Sequence, residues 1–185
     1  GGHKYPVKKI AHIARKKGIA TLVDGAQAVG QFPIDINDLG CDAYSASLHK
    51  WILAPSGTGF LFINKNSLKY FKSPFGGDSL TVEGQFNPPG TKDLPVRAAI
   101  YDALRFIDSI GIKNIEKRCR YLSDYLKSSL KGIGRVKLLS GNSKQSAPGS
   151  TIFEMDGVDA IEAVQAFEDR IQFYIDEHQR DGHNA

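Results

Sequence analysis

The chain has 185 residues, 41% of them hydrophobic, which suits one sizeable core or one domain with part of a second. Charged residues make up 24% and the formal net charge is +4, with lysines scattered over helical faces and no dense basic block. That pattern points to solvated faces and away from disorder or nucleic-acid binding, and no apolar run approaches the roughly 18 residues of a membrane span.

The chain opens with GGHKYP, without an initiator methionine or signal pattern, and stops at DGHNA, so both ends are expected to be cuts through a longer protein. Residues 7–17, VKKIAHIARKK, set Val7, Ile10, Ile13 and Ala14 on one face and lysines on the other. Pro6 and Gly18 punctuate this amphipathic helix. IATLVDG (19–25), DAYSAS (42–47) and GTGFLFIN (57–64) read as short buried strands. Helix followed by apolar strand predicts an α/β layer with a largely parallel sheet. Cys41 lies inside an apolar run and is expected to be a small buried side chain. Cys41 and Cys119 form no CxxC or Cys/His metal spacing, which fits a reducing, cytoplasmic compartment.

From 65 to 92 the glycines and prolines of SPFGGDS and NPPGTKD predict loops. Two helices follow, one aligning Val96, Ile100, Ala103, Leu104 and Ile107, the other Ile115, Cys119, Leu122, Leu126 and Leu130. VKLLS, STIFEMDG, VDAIEAVQAFED and IQFYID then predict strand, strand, helix and strand. Residues 1–110 are accordingly expected to form part of a large domain, 111–134 a connecting helix, and 135–185 the start of a small α+β domain.

Asp24 closes an apolar strand at the end where ligands bind in open α/β sheets. It either caps the turn GAQAVG or faces a cationic group, because an unpaired buried carboxylate is costly. Lys50, in SASLHKW, lies 26 residues downstream, after the next apolar strand. Most lysines are solvated, but two neighbouring parallel strands that end in an acid and a lysine suggest more. A lysine in such a pocket can form a Schiff base, and pyridoxal phosphate needs a lysine for its aldehyde and a carboxylate for its ring nitrogen.

LVDGAQAVG, then GCDAYSASLHKWILAPSGTGFLFI, then PGTKD resemble class V aminotransferases, the fold-type I pyridoxal-phosphate enzymes, over nearly the whole chain. Their relatives include cysteine desulfurases, selenocysteine lyases and isopenicillin N epimerase-like proteins. The resemblance implies that Lys50 forms the Schiff base and Asp24 partners the pyridine nitrogen. It implies Gln27 as donor to the phenolic oxygen, though alone it reads as an exposed turn glutamine. Ser47 and His49 look like phosphate ligands, and as alternate residues of an extended segment they can point to one side. Gly90 and Thr91 match a segment that donates to the phosphate of the neighbouring subunit's cofactor, which implies a homodimer with shared sites. A helix N-cap by Thr91 or Asp93 is the other reading of that segment.

Sulfur-removing members of the family carry a cysteine in a small-domain loop, and the matching HQRDGHNA has none. The variants LHKW and GTKD resemble the isopenicillin N epimerase-like branch instead. Arg180 resembles an arginine near the substrate carboxylate, or is a solvated residue of a polar tail. The resemblance therefore implies an enzyme acting at the alpha carbon of an amino acid by epimerisation or transamination. A desulfurase or lyase, or a non-catalytic fragment that keeps the fold, is the alternative. Family members are about twice this length, roughly two to three ordinary domains.

Overall fold

The structure, a computed structural model, describes residues 2–74, 81–87, 90–141, 144–177 and 184–185. It divides into two compact units, Pro6–Glu116 and Gly1–Tyr5 with Lys117–Ala185.

In the Pro6–Glu116 unit, α1 (Val7–Lys16) precedes β1 (Leu22–Asp24), α2 (Ile36–Leu39), β2 (Ala43–Ser47) and β3 (Gly59–Ile63). A 3-10 helix (Lys65–Tyr70), α3 (Val82–Phe86) and α4 (Leu94–Ile110) follow. The sheet order is β1-β2-β3, with β1 parallel and β3 antiparallel to β2. Connection length explains the mixture. Residues 25–42 hold a turn and α2, enough for a crossover, whereas residues 48–58 hold no helix and return as an antiparallel neighbour. Among the described residues the largely parallel sheet expected from the sequence is thus one parallel and one antiparallel ladder.

Asp42, just before β2, holds the sheet's entry together. Its carboxylate accepts from Thr21 N at 2.8 Å, Thr21 Oγ1 at 3.0 Å and Ser67 Oγ at 2.5 Å. The Asp42 carbonyl accepts from Asn64 N at 2.8 Å. The starts of β1 and β2 and the end of β3 are thereby tied to one residue. One core cluster joins Ala11, Cys41, Tyr44 and Ala46, and Tyr44 stacks on Phe60 at 6.2 Å. A second joins Leu48, Ile52, Ala54 and Ile107, with Ile100, Ala103 and Ile115 beside it. Cys41 is buried as expected, and burial pushes its thiol up.

α1 presents Ala11 to the core, while Ile10 and Ile13 are about half exposed. The inward face therefore runs through Val7, Ala11 and Ala14, one step round from the expected stripe. α4 starts at an Asp93 cap, whose carboxylate accepts from Val96 N at 3.1 Å, with a proline in its first turn.

The other unit contains most of α5 (Ile112–Leu130), then β4 (Val136–Leu138), β5 (Phe153–Met155) and α6 (Ala160–Ile171). β4 and β5 form an antiparallel pair. Lys4 N donates to Gln145 O at 2.6 Å and His3 bridges Ser146, which ties the first residues to this unit. The C-terminal half of α5 differs from expectation. Leu122 and Leu126 are exposed, and Ser123 and Lys127 are buried instead. Polar partners explain this choice of face: Ser123 Oγ lies 2.9 Å from Thr151 Oγ1, and Lys127 Nζ donates to Gly141 O at 3.0 Å. Burial pushes the Lys127 ammonium below its ordinary range, against the pull of Asp124.

The strand expected in IQFYID is absent. Ile171 closes α6, and Gln172 takes a left-handed cap with φ 51° and donates to Glu168 O. Phe173 N then donates to Phe167 O at 3.2 Å, and the two rings meet edge-on at 6.1 Å. The apolar run folds back on its own helix rather than pairing in a sheet.

Burial pushes the Asp42 carboxyl up, but the Ser67 and Thr21 hydrogen bonds and the Arg15 charge outweigh it and hold the group below the usual carboxylate range. A carboxylate of this kind stabilises fully above its unfolded pKa of about 3.9, and that stability is lost as pH falls through the lower folded value. Asp42→Asn is expected to cost about 1–3 kcal/mol at pH 7 in urea unfolding, with the gap to wild type closing below about pH 4.

Candidate functional site

The parallel ladder sets the site. Leu22, Val23 and Asp24 face Ala43, Tyr44 and Ser45 in register, and Gly25 N extends the ladder by donating to Ser45 O at 2.7 Å. Both strands therefore run out at the same edge, where the turns 25–31 and 48–54 leave the sheet. This carboxyl edge is where open α/β sheets bind ligands.

The two turns are clasped together. Trp51 Nε1 donates to Gln27 Oε1 at 3.1 Å. Gly30, at φ 95°, packs on the Trp51 backbone so closely that an added Cβ would meet the Trp51 carbonyl carbon at 2.7 Å. Gln31, only 1% exposed, donates from Nε2 to Gln27 O at 2.6 Å. Gly25 is also closed to side chains, since a Cβ there would overlap the Tyr44 hydroxyl and ring.

On this frame Asp24 is exposed, with Oδ1 accepting from Ala26 N at 2.9 Å. Asp24 thus performs the capping expected of a turn acid and keeps Oδ2 available. It is not an interior group, because β1 is the sheet's edge strand and Leu22 is itself 61% exposed. Lys50 is half-buried, and among the described residues its ammonium has no hydrogen-bond or ion-pair partner. Ser47 ends β2, half-buried and paired in register with Gly59. Tyr44, Ala46 and Leu48 are buried while Ser45, Ser47 and His49 are less so, which puts the last three on one side of the chain. His49 Nδ1 lies 3.1 Å from Thr58 O. A carbonyl only accepts, so Nδ1 carries the proton and Nε2 is the remaining ring atom.

Gly90 and Thr91 are exposed, and the structure shows no bond from them to the 48–54 turn. An added Cβ at Gly90 would meet nothing within 4 Å, and the α4 cap belongs to Asp93 rather than Thr91. Arg180 and most of HQRDGHNA lie outside the described residues. Trp51 and Gly30 are the site residues that sequence reading passed over. The signal for Trp51 was its place directly after Lys50, opposite a glutamine 24 residues earlier. Among the described residues no cluster of histidines, cysteines and acids could hold a metal, and no helix is long and apolar enough to cross a membrane.

The donor set fits pyridoxal phosphate: an unpaired amine, a carboxylate with a spare oxygen, an outward amide donor, a hydroxyl and an imidazole at one sheet edge. The family model described as Aminotransferase class-V matches residues 1–177. The chain is 29% identical over 176 residues to isopenicillin N epimerase of Streptomyces clavuligerus, covering 85% of this chain and 44% of that protein. It is 31% identical over 164 residues to a probable cysteine desulfurase of Halalkalibacterium halodurans, covering 83% and 39%. The chain thus spans less than half the length of these curated relatives. Among solved structures, a cysteine desulfurase from Thermococcus onnurineus matches with a TM-score of 0.78 at 23% identity, over 91% of this chain and 44% of that one. An alanine–glyoxylate aminotransferase from Nostoc matches with a TM-score of 0.78 at 19% identity, over 99% and 51%. At those identities the likeness is one of fold.

The clasp has a direct test. Gly30→Ala sets a side chain at a positive φ against the Trp51 backbone, so it is expected to lose about 2 kcal/mol or more in urea unfolding.

Proposed function

The chain belongs to the class-V aminotransferase family, and from that premise we propose that it carries the lysine-bearing part of a pyridoxal-phosphate site acting at the alpha carbon of an amino acid. The observation that supports this most is the unpaired Lys50 amine, in a turn clasped to the Asp24–Gly30 turn by the Trp51–Gln27 bond. In this reading residues 1–110 are part of the large cofactor-binding domain, 111–134 a connecting helix and 135–185 part of the small domain. The full-length protein is a homodimer that shares its sites. Free Cys41 and Cys119 suit a reducing compartment such as the cytoplasm.

When bound, the cofactor supplies an aldehyde that takes up amines and an electron-poor ring that draws charge from the alpha carbon. Lys50 Nζ would hold the cofactor's aldehyde end and would move the proton at the substrate's alpha carbon. Asp24 keeps the ring nitrogen protonated through its spare oxygen. Gln27 donates from Nε2 to the phenolic oxygen. Ser47 Oγ donates to the phosphate, and His49 does so from Nε2 when both ring nitrogens are protonated. Gly90 and Thr91 serve the partner's phosphate, and Arg180 the substrate carboxylate.

A proton that Lys50 returned to the alpha carbon would give epimerisation, and transamination is the other outcome. The LHKW and GTKD variants and the likeness to an isopenicillin N epimerase favour the first. A second reading, desulfurase or lyase, is favoured by the probable cysteine desulfurase among the relatives. Sulfide and alanine release from cysteine distinguishes it, and the absence of a cysteine in HQRDGHNA argues that none will be seen. A non-catalytic fragment retaining the fold is the third outcome.

Borohydride reduction in the presence of pyridoxal phosphate, followed by peptide mapping, is expected to label Lys50. Lys50→Ala is expected to lose the label and keep its circular dichroism spectrum. A label on another lysine overturns the assignment.

A further inference from the structure

Gln27 is held at three points, and of its side-chain polar groups the amide nitrogen stays free. Its carbonyl accepts from Gln31, its Oε1 accepts from the Trp51 indole, and its turn is pressed against Trp51 through Gly30. An indole N–H donates and never accepts. Whichever way the amide of Gln27 is turned, it can meet Trp51 only through oxygen, so the bond settles the orientation of a group that is otherwise free to flip. What remains is Nε2, two N–H donors with no partner among the described residues. An exposed glutamine ordinarily samples several rotamers and presents oxygen as often as nitrogen.

We propose that Trp51 is a positioning residue that locks the Gln27 amide with its donor face outward, so that the site offers N–H groups to an anionic oxygen of its ligand. On the cofactor reading above, on which this inference rests, that oxygen is the phenolic oxygen of pyridoxal phosphate. Nothing in the packing requires an indole at position 51. The side chain is only half-buried, and its aliphatic neighbour Ile52 fills the core. The residue type is therefore explained by its N–H. The gain is one of preorganisation: the donor is aimed before the ligand arrives, and its ordering is not charged against binding. The bond also couples the turn after β1 to the residue next to Lys50, so the donor and the amine keep a common frame.

Trp51 is the single tryptophan of the chain, which makes the bond observable without any ligand. In the 1H–15N spectrum of the whole chain, the lone indole N–H resonance is expected to move upfield in Gln27→Ala and to stay downfield in Gln27→Glu. The glutamate keeps an acceptor and loses the donor. Pyridoxal phosphate binding, followed by quenching of Trp51 fluorescence, is expected to weaken about tenfold in Gln27→Ala and in Gln27→Glu. Trp51→Phe, followed by the cofactor's visible band, is expected to weaken it several-fold, and the double variant Trp51→Phe/Gln27→Ala to be no weaker than Gln27→Ala alone. An indole resonance indifferent to Gln27→Ala overturns the bond. Additive losses in the double variant overturn the positioning role even where the bond exists. If the wild-type chain takes up no pyridoxal phosphate, the cofactor reading fails and with it the ligand assigned to the donor, while the indole resonance still decides the bond.

Discussion

The parallel ladder between β1 and β2 is the constraint on which the rest of the Pro6–Glu116 unit depends. Three residues of β1 make it, so the ladder needs support at both ends. At the entry, Asp42 takes three hydrogen bonds from Thr21 and Ser67 and fixes which residue of one strand meets which of the other. At the exit, Gly25 N and the Trp51–Gln27 bond continue the pairing into the turns. A slip of one residue would turn Tyr44 and Ala46 out of the core and carry Asp24 away from the edge. Register and site geometry are therefore the same fact.

The exit end shows why small residues surround the charged ones. Gly25 admits the Tyr44 ring of β2, and Gly30 admits the Trp51 backbone, so the two turns close to a separation that a side chain at Gly30 would forbid. That closeness allows an indole in one turn to reach an amide in the other. The amine of Lys50 is left without a partner among the described residues, while the Trp51 indole next to it is engaged by Gln27.

The Lys117–Ala185 unit follows a different logic. Its helix α5 buries Ser123 and Lys127 and exposes Leu122 and Leu126, against the hydrophobic pattern. Bonds to Thr151 and to the Gly141 carbonyl make this tolerable, since a buried polar group with a partner costs far less than one without. Ile171 and Phe173 show the converse, an apolar run expected to be a strand in which Ile171 closes the helix and the Phe173 ring meets Phe167.

Read alone, the sequence presented the 3-10 helix Lys65–Tyr70 and α3 as loop and did not mark α2. It determined the α/β class, the four long helices, all five strands of the described residues together with a sixth that is not there, and the family whose motif joins Asp24, Gln27 and Lys50. Those features are local: periodicity, capping residues and short motifs are written in consecutive positions. The tertiary structure decided that β3 runs antiparallel, that α1 and the second half of α5 turn a different face inward, and that Asp24 stands at an exposed edge. It also decided that Trp51 meets Gln27, a contact across 24 residues that no local pattern records. Such choices depend on which partner a group finds across the fold, and partners are fixed only when the chain is packed.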